Sequence, residues 1–149
     1  MKKTLLTHSA QETKALAQAI ATDLKNGSVI TLSGDLGAGK TTFTQGLAKG
    51  LDIKKMVSSP TFTIMKQYHG KFRLTHIDAY RLEGLHQDLG FEELIGTEGV
   101  CVIEWPDYIK ELLPASYLEI KLVRLDEDDR EITLISHGTF YTHILEKLT

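Results

Sequence analysis

Covalent cross-links, export signals and membrane spans are all missing from this chain. A single cysteine, Cys101, among 149 residues rules out an intrachain disulfide. It lies in the apolar run 100–103 and reads as a small buried hydrophobe rather than a reactive thiol. Three prolines are too few for a linker-rich or disordered chain. No apolar stretch approaches the roughly 20 residues that cross a bilayer. Residues 1–8 carry two lysines but no apolar core of a signal peptide, so a cytoplasmic location with no membrane contact is expected. Arginine is scarce as well, confined to Arg73, Arg81, Arg124 and Arg130, and the formal net charge is -3. Tight, direct nucleic-acid binding wants concentrated basic charge, so any such surface here has to be a local patch.

What remains is the composition of an ordinary globular protein, 42% hydrophobic and 25% charged. The length suits one compact domain over residues 1–149 that can bury its own core. Ser9 and Glu12 have the spacing of a capping box, followed by Leu16, Ile20 and Leu24 on one helical face, which predicts a helix ended by Asn26-Gly27. Val29 to Leu32 is a short β run, and Lys40 to Ala48 reads as a helix closed by Gly50. Residues 61–68 and 71–77 alternate around His69-Gly70, the pattern of a β-hairpin. Residues 85–95 predict a short helix. Val100 to Ile103 is continuously apolar, as in a strand covered on both faces. Pro106 suits the first turn of a helix ending near Pro114. Two further strands, 117–125 and 131–136, flank the acidic turn 126–129, and residues 138–148 close with a helix. No repeat or low-complexity tract interrupts the order. The expectation is an α/β three-layer fold with a mostly parallel central sheet, helices on both faces and one hairpin.

Chemistry concentrates at Gly34-Asp35-Leu36-Gly37-Ala38-Gly39-Lys40-Thr41, which matches the phosphate-loop pattern G-x-x-x-x-G-K-[ST]. Glycines at 34, 37 and 39 let backbone N–H groups close on phosphate oxygens. The loop opens a helix, whose free N–H groups and dipole favour anions. Lys40 supplies a point charge for the β- and γ-phosphates, Thr41 a hydroxyl for Mg2+, and Thr42 a contact to the α-phosphate. The pattern follows a strand and precedes a helix, as its mechanism requires. A nucleoside triphosphate with magnesium is the implied ligand.

Such a site wants a carboxylate at a neighbouring strand end. Glu104 directly follows the apolar run 100–103 and reaches the carboxyl edge of the sheet, where ligands bind in open α/β folds. Asp78 ends the strand around His76-Ile77 and is the second candidate, with capping of the next turn as its structural alternative. His76 shares a strand face with Asp78 and Trp105 follows Glu104; for both, packing is the default reading. Thr61, in Ser58-Ser59-Pro60-Thr61, is placed to sense a γ-phosphate as switch threonines do, although Ser-Pro-Thr is also common turn chemistry. The single asparagine, Asn26, precedes Gly27, so the N-K-x-D loop of guanine-specific proteins is absent, and so is a D-x-x-G switch. Small-molecule kinases gather arginines around two substrates, and four scattered arginines offer little for that. A small ATPase whose further substrate lies outside this chain is the reading left, with a nucleotide-driven assembly switch and a small-molecule kinase as alternatives.

The blocks Gly34 to Thr42, Ser59-Pro60-Thr61-Phe62, His76-Ile77-Asp78-Ala79-Tyr80-Arg81-Leu82 and Ile103-Glu104-Trp105-Pro106 together resemble the bacterial TsaE family, the ATPases of tRNA threonylcarbamoyladenosine synthesis. The resemblance implies ATP hydrolysis in support of partner proteins that attach threonylcarbamate to adenosine next to the anticodon, with tRNA engaged only indirectly. It implies that Thr41 and Glu104 hold magnesium, that Asp78 serves catalysis or metal positioning, and that Thr61 belongs to a switch segment. It also points the region of Glu12, and Arg130, at the nucleoside end.

Overall fold

The computed structural model describes residues 1–35, 37–58, 65–79 and 93–148, save the side chain of residue 108. Seven strands form one sheet in the order β1-β7-β6-β2-β5-β4-β3. In chain order the elements are β1 (Lys2–Thr7), α1 (Ala10–Ala21), β2 (Ser28–Ser33), α2 (Lys40–Gly50), β3 (Met65–His69), β4 (Arg73–Asp78), β5 (Val100–Glu104), a 3-10 helix (Pro106–Leu112), β6 (Tyr117–Arg124), β7 (Arg130–His137) and α3 (Thr139–Glu146). The predicted hairpin is the antiparallel pair β3–β4, and the predicted helix over 85–95 falls largely outside the described residues.

The sheet is more mixed than expected. β6, β2, β5 and β4 run parallel, whereas β3 and the β1-β7-β6 half are antiparallel. Hairpins need only short connections, and the β3–β4 and β6–β7 turns are short enough to force antiparallel neighbours. β1 was not anticipated: its sequence Lys-Lys-Thr-Leu-Leu-Thr lacks clean alternation, and its pairing partner β7 is more than a hundred residues away.

Helices are expected on both faces, and among the described residues the α-helices lie on one and the 3-10 helix on the other. One core cluster joins Ala17, Ile20, Phe43, Leu47, Tyr141 and Leu145 to Ile30, Leu32, Val102, Ile120 and Leu134, so α1, α2 and α3 share a face. The opposite face buries Val29, Ile77, Cys101 and Ile103 under Ile109 of the 3-10 helix. That segment is a tight 3-10 run because Trp105 enters it with a left-handed backbone, φ 58, and Ile109 interrupts its regular φ/ψ.

The cap was legible and the helix end was not. Glu12 N–H donates to Ser9 Oγ at 3.1 Å and His8 N–H to Glu12 Oε2 at 3.0 Å, a complete capping box. The helix stops at Ala21, however, ahead of Asn26-Gly27. These two residues form a separate turn instead: Asn26 Oδ1 accepts from Gly99 N–H at 3.0 Å and Gly27 takes φ 89, which glycine adopts without strain.

Candidate functional site

The register of the parallel strands builds the site. Leu32 of β2 and Asp78 of β4 both pair with Glu104 of β5, so three strand ends meet at one level on the carboxyl edge of the sheet. The glycine loop leaves β2 there and turns into α2. Its entry is tight: a Cβ on Gly34 would lie 2.6 Å from the Leu122 carbonyl of β6, so only glycine lets the loop start against that strand. At Gly37 the requirement is conformational, with φ 84 and open space around the position. The N-cap of α2 is Gly39, with no side-chain cap bond, which leaves first-turn N–H groups of α2 without a protein side-chain acceptor at the cap.

Lys40, the first residue of α2, is nearly buried. Its Nζ donates to the Gly34 carbonyl at 2.5 Å and sits 4.3 Å from the centre of the Trp105 ring, a cation–π distance. Burial holds the ammonium below its ordinary pKa, opposed by the negative charges of Glu104, Asp78 and Asp35. Lys40 is thus charge-coupled to both carboxylates named from the sequence. Trp105 N–H donates to Leu32 O at 3.2 Å, tying the end of β5 to the strand that feeds the loop. The left-handed backbone that carries Trp105 costs a non-glycine residue about 1–2 kcal/mol.

Glu104 is buried, and His76 Nε2 donates to its Oε2 at 2.5 Å. Packing is the default reading of His76 from the sequence; in the structure its ring also holds this carboxylate. The missed signal was the register, which sets His76 and Glu104 on one face of adjacent strands two positions apart. The other ring nitrogen, Nδ1, has no hydrogen-bond partner among the described residues. Asp78 is half-buried beside Glu104.

Arg130, expected at the nucleoside end, makes different contacts. Its Nε donates to Ala38 O at 3.1 Å and its Nη2 to Gly37 O at 3.5 Å. Its Nη1 reaches the carbonyls of Asp126, Glu127 and Asp129 at 3.3, 3.1 and 3.0 Å. One guanidinium therefore joins the β6–β7 turn to the glycine loop through five backbone carbonyls. Because a trans peptide sets C=O and the next N–H in opposite directions, holding Ala38 O turns the Gly39 N–H away from Arg130. Next to it Ser9, Thr13, Gly39, Thr42, Asp128 and Arg130 line a recess of about 50 Å³. Glu12 is not among them; it completes the α1 cap and lines a different recess with Leu5 and Leu16. Thr41 and Thr42 are half-buried on the first turn of α2. Thr61 and Arg81 lie outside the described residues.

The donor set fits a hard cation held jointly with phosphate. Among the described residues no group of three His, Cys, Asp or Glu side chains converges as a metal cage. Magnesium in triphosphate sites asks for less, one or two carboxylates or hydroxyls with waters and phosphate oxygens completing its shell. Thr41, Glu104 and Asp78 are of that kind.

Fold and site define an α/β protein in which a glycine loop and a basic helix N-terminus face two strand-end carboxylates. The family profile described as "Threonylcarbamoyl adenosine biosynthesis protein TsaE" matches residues 7–132. The TsaE protein of Bacillus subtilis is 48% identical over 144 residues, 96% of this chain and 91% of that one. That of Treponema pallidum is 43% identical over 131 residues, 87% and 97% of the two chains. The crystal structure of YdiB from Bacillus subtilis superposes with a TM-score of 0.84 at 41% identity, covering 99% of this chain and 93% of the other. The chain belongs to the TsaE family.

Proposed function

We propose that this chain is a single-domain, magnesium-dependent ATPase with a P-loop fold, acting in the cytoplasm in tRNA threonylcarbamoyladenosine biosynthesis, the process for which its family is named. The observation that carries the reading is Lys40 at the uncapped start of α2, stacked on Trp105 next to Glu104, with Asp78 paired to Glu104 in register. Backbone N–H groups of Gly37, Ala38 and Gly39 and the first turn of α2 cradle the ATP phosphates. Lys40 leaves the Gly34 carbonyl for the β- and γ-phosphates. Thr42 contacts the α-phosphate, and Thr41 with Glu104 holds Mg2+. Mg2+ held there would supply positive charge against the phosphates. Asp78 or Glu104 orients the attacking water, with His76 fixing the carboxylate of Glu104. Thr61 senses the γ-phosphate. Arg130 and the Glu12 cap serve the nucleoside end indirectly, by holding the loop and the start of α1. Partner proteins of the pathway perform the transfer to tRNA. No helix among the described residues is long and apolar enough to cross a membrane.

Arg130, which touches the glycine loop, is spent on backbone carbonyls, and Arg81 lies outside the described residues. A P-loop site without an arginine finger turns over slowly, and supplying one raises the rate by about 10³–10⁵. The chain alone is therefore expected to hydrolyse ATP slowly and to accelerate sharply with its partner proteins. The test is phosphate release by the purified chain, alone and with those partners, beside Lys40→Ala. Loss of one charge-assisted contact of about 1.5–3 kcal/mol weakens ATP binding roughly ten- to hundredfold and removes turnover. Brisk hydrolysis by the isolated chain, or a Lys40→Ala variant that binds ATP normally, overturns the reading.

A further inference from the structure

The chain is acidic overall, yet its positive charge is unevenly spent. From position 49 to position 73 it carries Lys49, Lys54, Lys55, Lys66, Lys71 and Arg73 against one acid, Asp52, in a molecule of net charge -3. The fold brings these residues to one side. Segment 51–58 runs between the end of α2 and the β3–β4 hairpin. Lys71 N–H donates to Leu51 O at 2.6 Å and Ile53 N–H to Ala48 O at 3.0 Å. Gln45 Nε2 donates to Val57 O at 2.9 Å and Lys66 Nζ to Ser58 Oγ at 2.9 Å. Lys49, Lys54, Lys55 and Lys71 are exposed.

Among the described residues none of these six cations is in an ion pair, whereas Lys121 and Lys147 elsewhere each have a carboxylate partner. Arg73 Nε is buried with no hydrogen-bond partner among the described residues. In the same segment as Lys54 and Lys55 stands Met56, 83% exposed, beside the buried Val57. Folding accounts for part of this. One basic residue at the end of α2 favours the helix dipole, and a lysine on the outer strand β3 discourages edge pairing. Lys54 and Lys55 serve neither purpose, Lys71 has only the ring of Phe72 at 5.7 Å, and unneutralised like charges repel one another.

We propose that the face formed by Lys49, Lys54, Lys55, Lys66 and Lys71 around Met56 docks an acidic surface of a partner protein. The lysines steer the approach, and Met56 enters an apolar recess on the partner. Nucleic acid is the poorer occupant, because single-strand binders interleave stacking aromatics and arginines with their basic groove, while the exposed apolar group here is a methionine. Flexible, polarisable methionine suits adaptable protein interfaces, and rim charges act chiefly on association rate. α2 puts this face about 15 Å from Lys40, at 1.5 Å per residue, so docking leaves the phosphate loop open. The inference rests on the reading that the chain works with protein partners.

The test compares the parent chain with Lys54→Glu/Lys55→Glu/Lys71→Glu and with Met56→Ser, measuring association with the purified partner proteins of the pathway at low and physiological salt. All four substituted positions are exposed, and unchanged ADP affinity and melting temperature confirm folding. The parent is expected to associate at least about tenfold faster at low salt than at physiological salt. The triple variant is expected to lose that gain and most of its salt dependence, and Met56→Ser to dissociate faster with little change in association. A triple variant that associates as the parent does, with the same salt slope, overturns the docking face and leaves the ATPase reading standing. Lysine-dependent binding of the pathway's tRNA, with protein association unaffected, assigns the face to nucleic acid and also overturns it. A parent chain that binds ADP but none of the partner proteins removes the partner reading and this face together.

Discussion

The parallel half of the sheet delivers side chains to the site, and the antiparallel half delivers restraint. β2, β5 and β4 end at one level, so the loop, Glu104 and Asp78 come together as a consequence of register alone. β6 and β7 contribute the Leu122 carbonyl that crowds Gly34 and the guanidinium of Arg130, which holds backbone carbonyls of the glycine loop. Chemistry and posture thus come from different strands. A substitution in the first half should change what the site does, and one in the second should change how well the site is formed beforehand.

The largest effect is expected from Glu104→Gln. Glutamine keeps the size of the side chain and an oxygen that accepts from His76 Nε2, so the buried contact survives. Removing the negative charge takes away the proposed metal ligand and water-orienting group, and general-base contributions alone are worth about 10²–10⁴ in rate. Single-turnover ATP hydrolysis should fall at least about a hundredfold, with metal-free ADP affinity close to that of the parent. If the variant still assembles with partner proteins on ATP and still supports tRNA modification, ATP acts as a switch, and the parallel half supplies binding without coupled chemistry.

Legibility divided by sequence distance rather than by half. The glycine loop between a strand and a helix, the apolar run ending in Glu104, and the Ser9–Glu12 box each depend on residues a few positions apart, and all three are present. What escaped depends on distant partners. β1 is defined by pairing with β7, and the bond from His76 to Glu104 exists only once β4 lies beside β5. The clasp by Arg130 needs the β6–β7 turn to fold back over a loop ninety residues earlier. That α1, α2 and α3 share one face was hidden for the same reason, since an amphipathic helix shows that it has a buried face without showing which side of the sheet it covers.

Arg130 tests the antiparallel half directly. Its removal leaves the carbonyls of Gly37 and Ala38 without their donor and frees the loop to sample other conformations. About 1–2 kcal/mol of preorganisation corresponds to roughly a five- to thirtyfold weaker ADP affinity in Arg130→Ala, with faster hydrogen exchange at the loop amides. Arg130→Lys separates clasp from charge. A lysine keeps the positive charge but lacks the planar fork that spans five carbonyls, so it should behave like alanine. Full rescue by lysine would make Arg130 a phosphate-facing charge, and the division between the two halves would fail.

The smallest effect concerns how tightly the parallel half is sealed. Cys101, on the face of β5 away from the α-helices, is buried and its thiol is pushed up from 9.0 to about 12 by burial. An unfolded chain ionises near the ordinary value, so folding stability is unaffected below pH 9 and is lost as pH rises from there toward 12. The limiting slope for one such proton is about 1.4 kcal/mol per pH unit. The pKa of Tyr141, on α3, is also raised by burial and adds to the alkaline loss in the same direction. Urea midpoints of the parent and of Cys101→Ala, followed from pH 8 to 10.5, isolate the cysteine share, because the tyrosine contribution is common to both. The variant is less stable throughout, having lost buried volume, but its stability should fall less steeply above pH 9. Parallel slopes would mean that Cys101 ionises in the folded protein, and hence that solvent reaches the centre of the parallel strands from the side covered by the 3-10 helix.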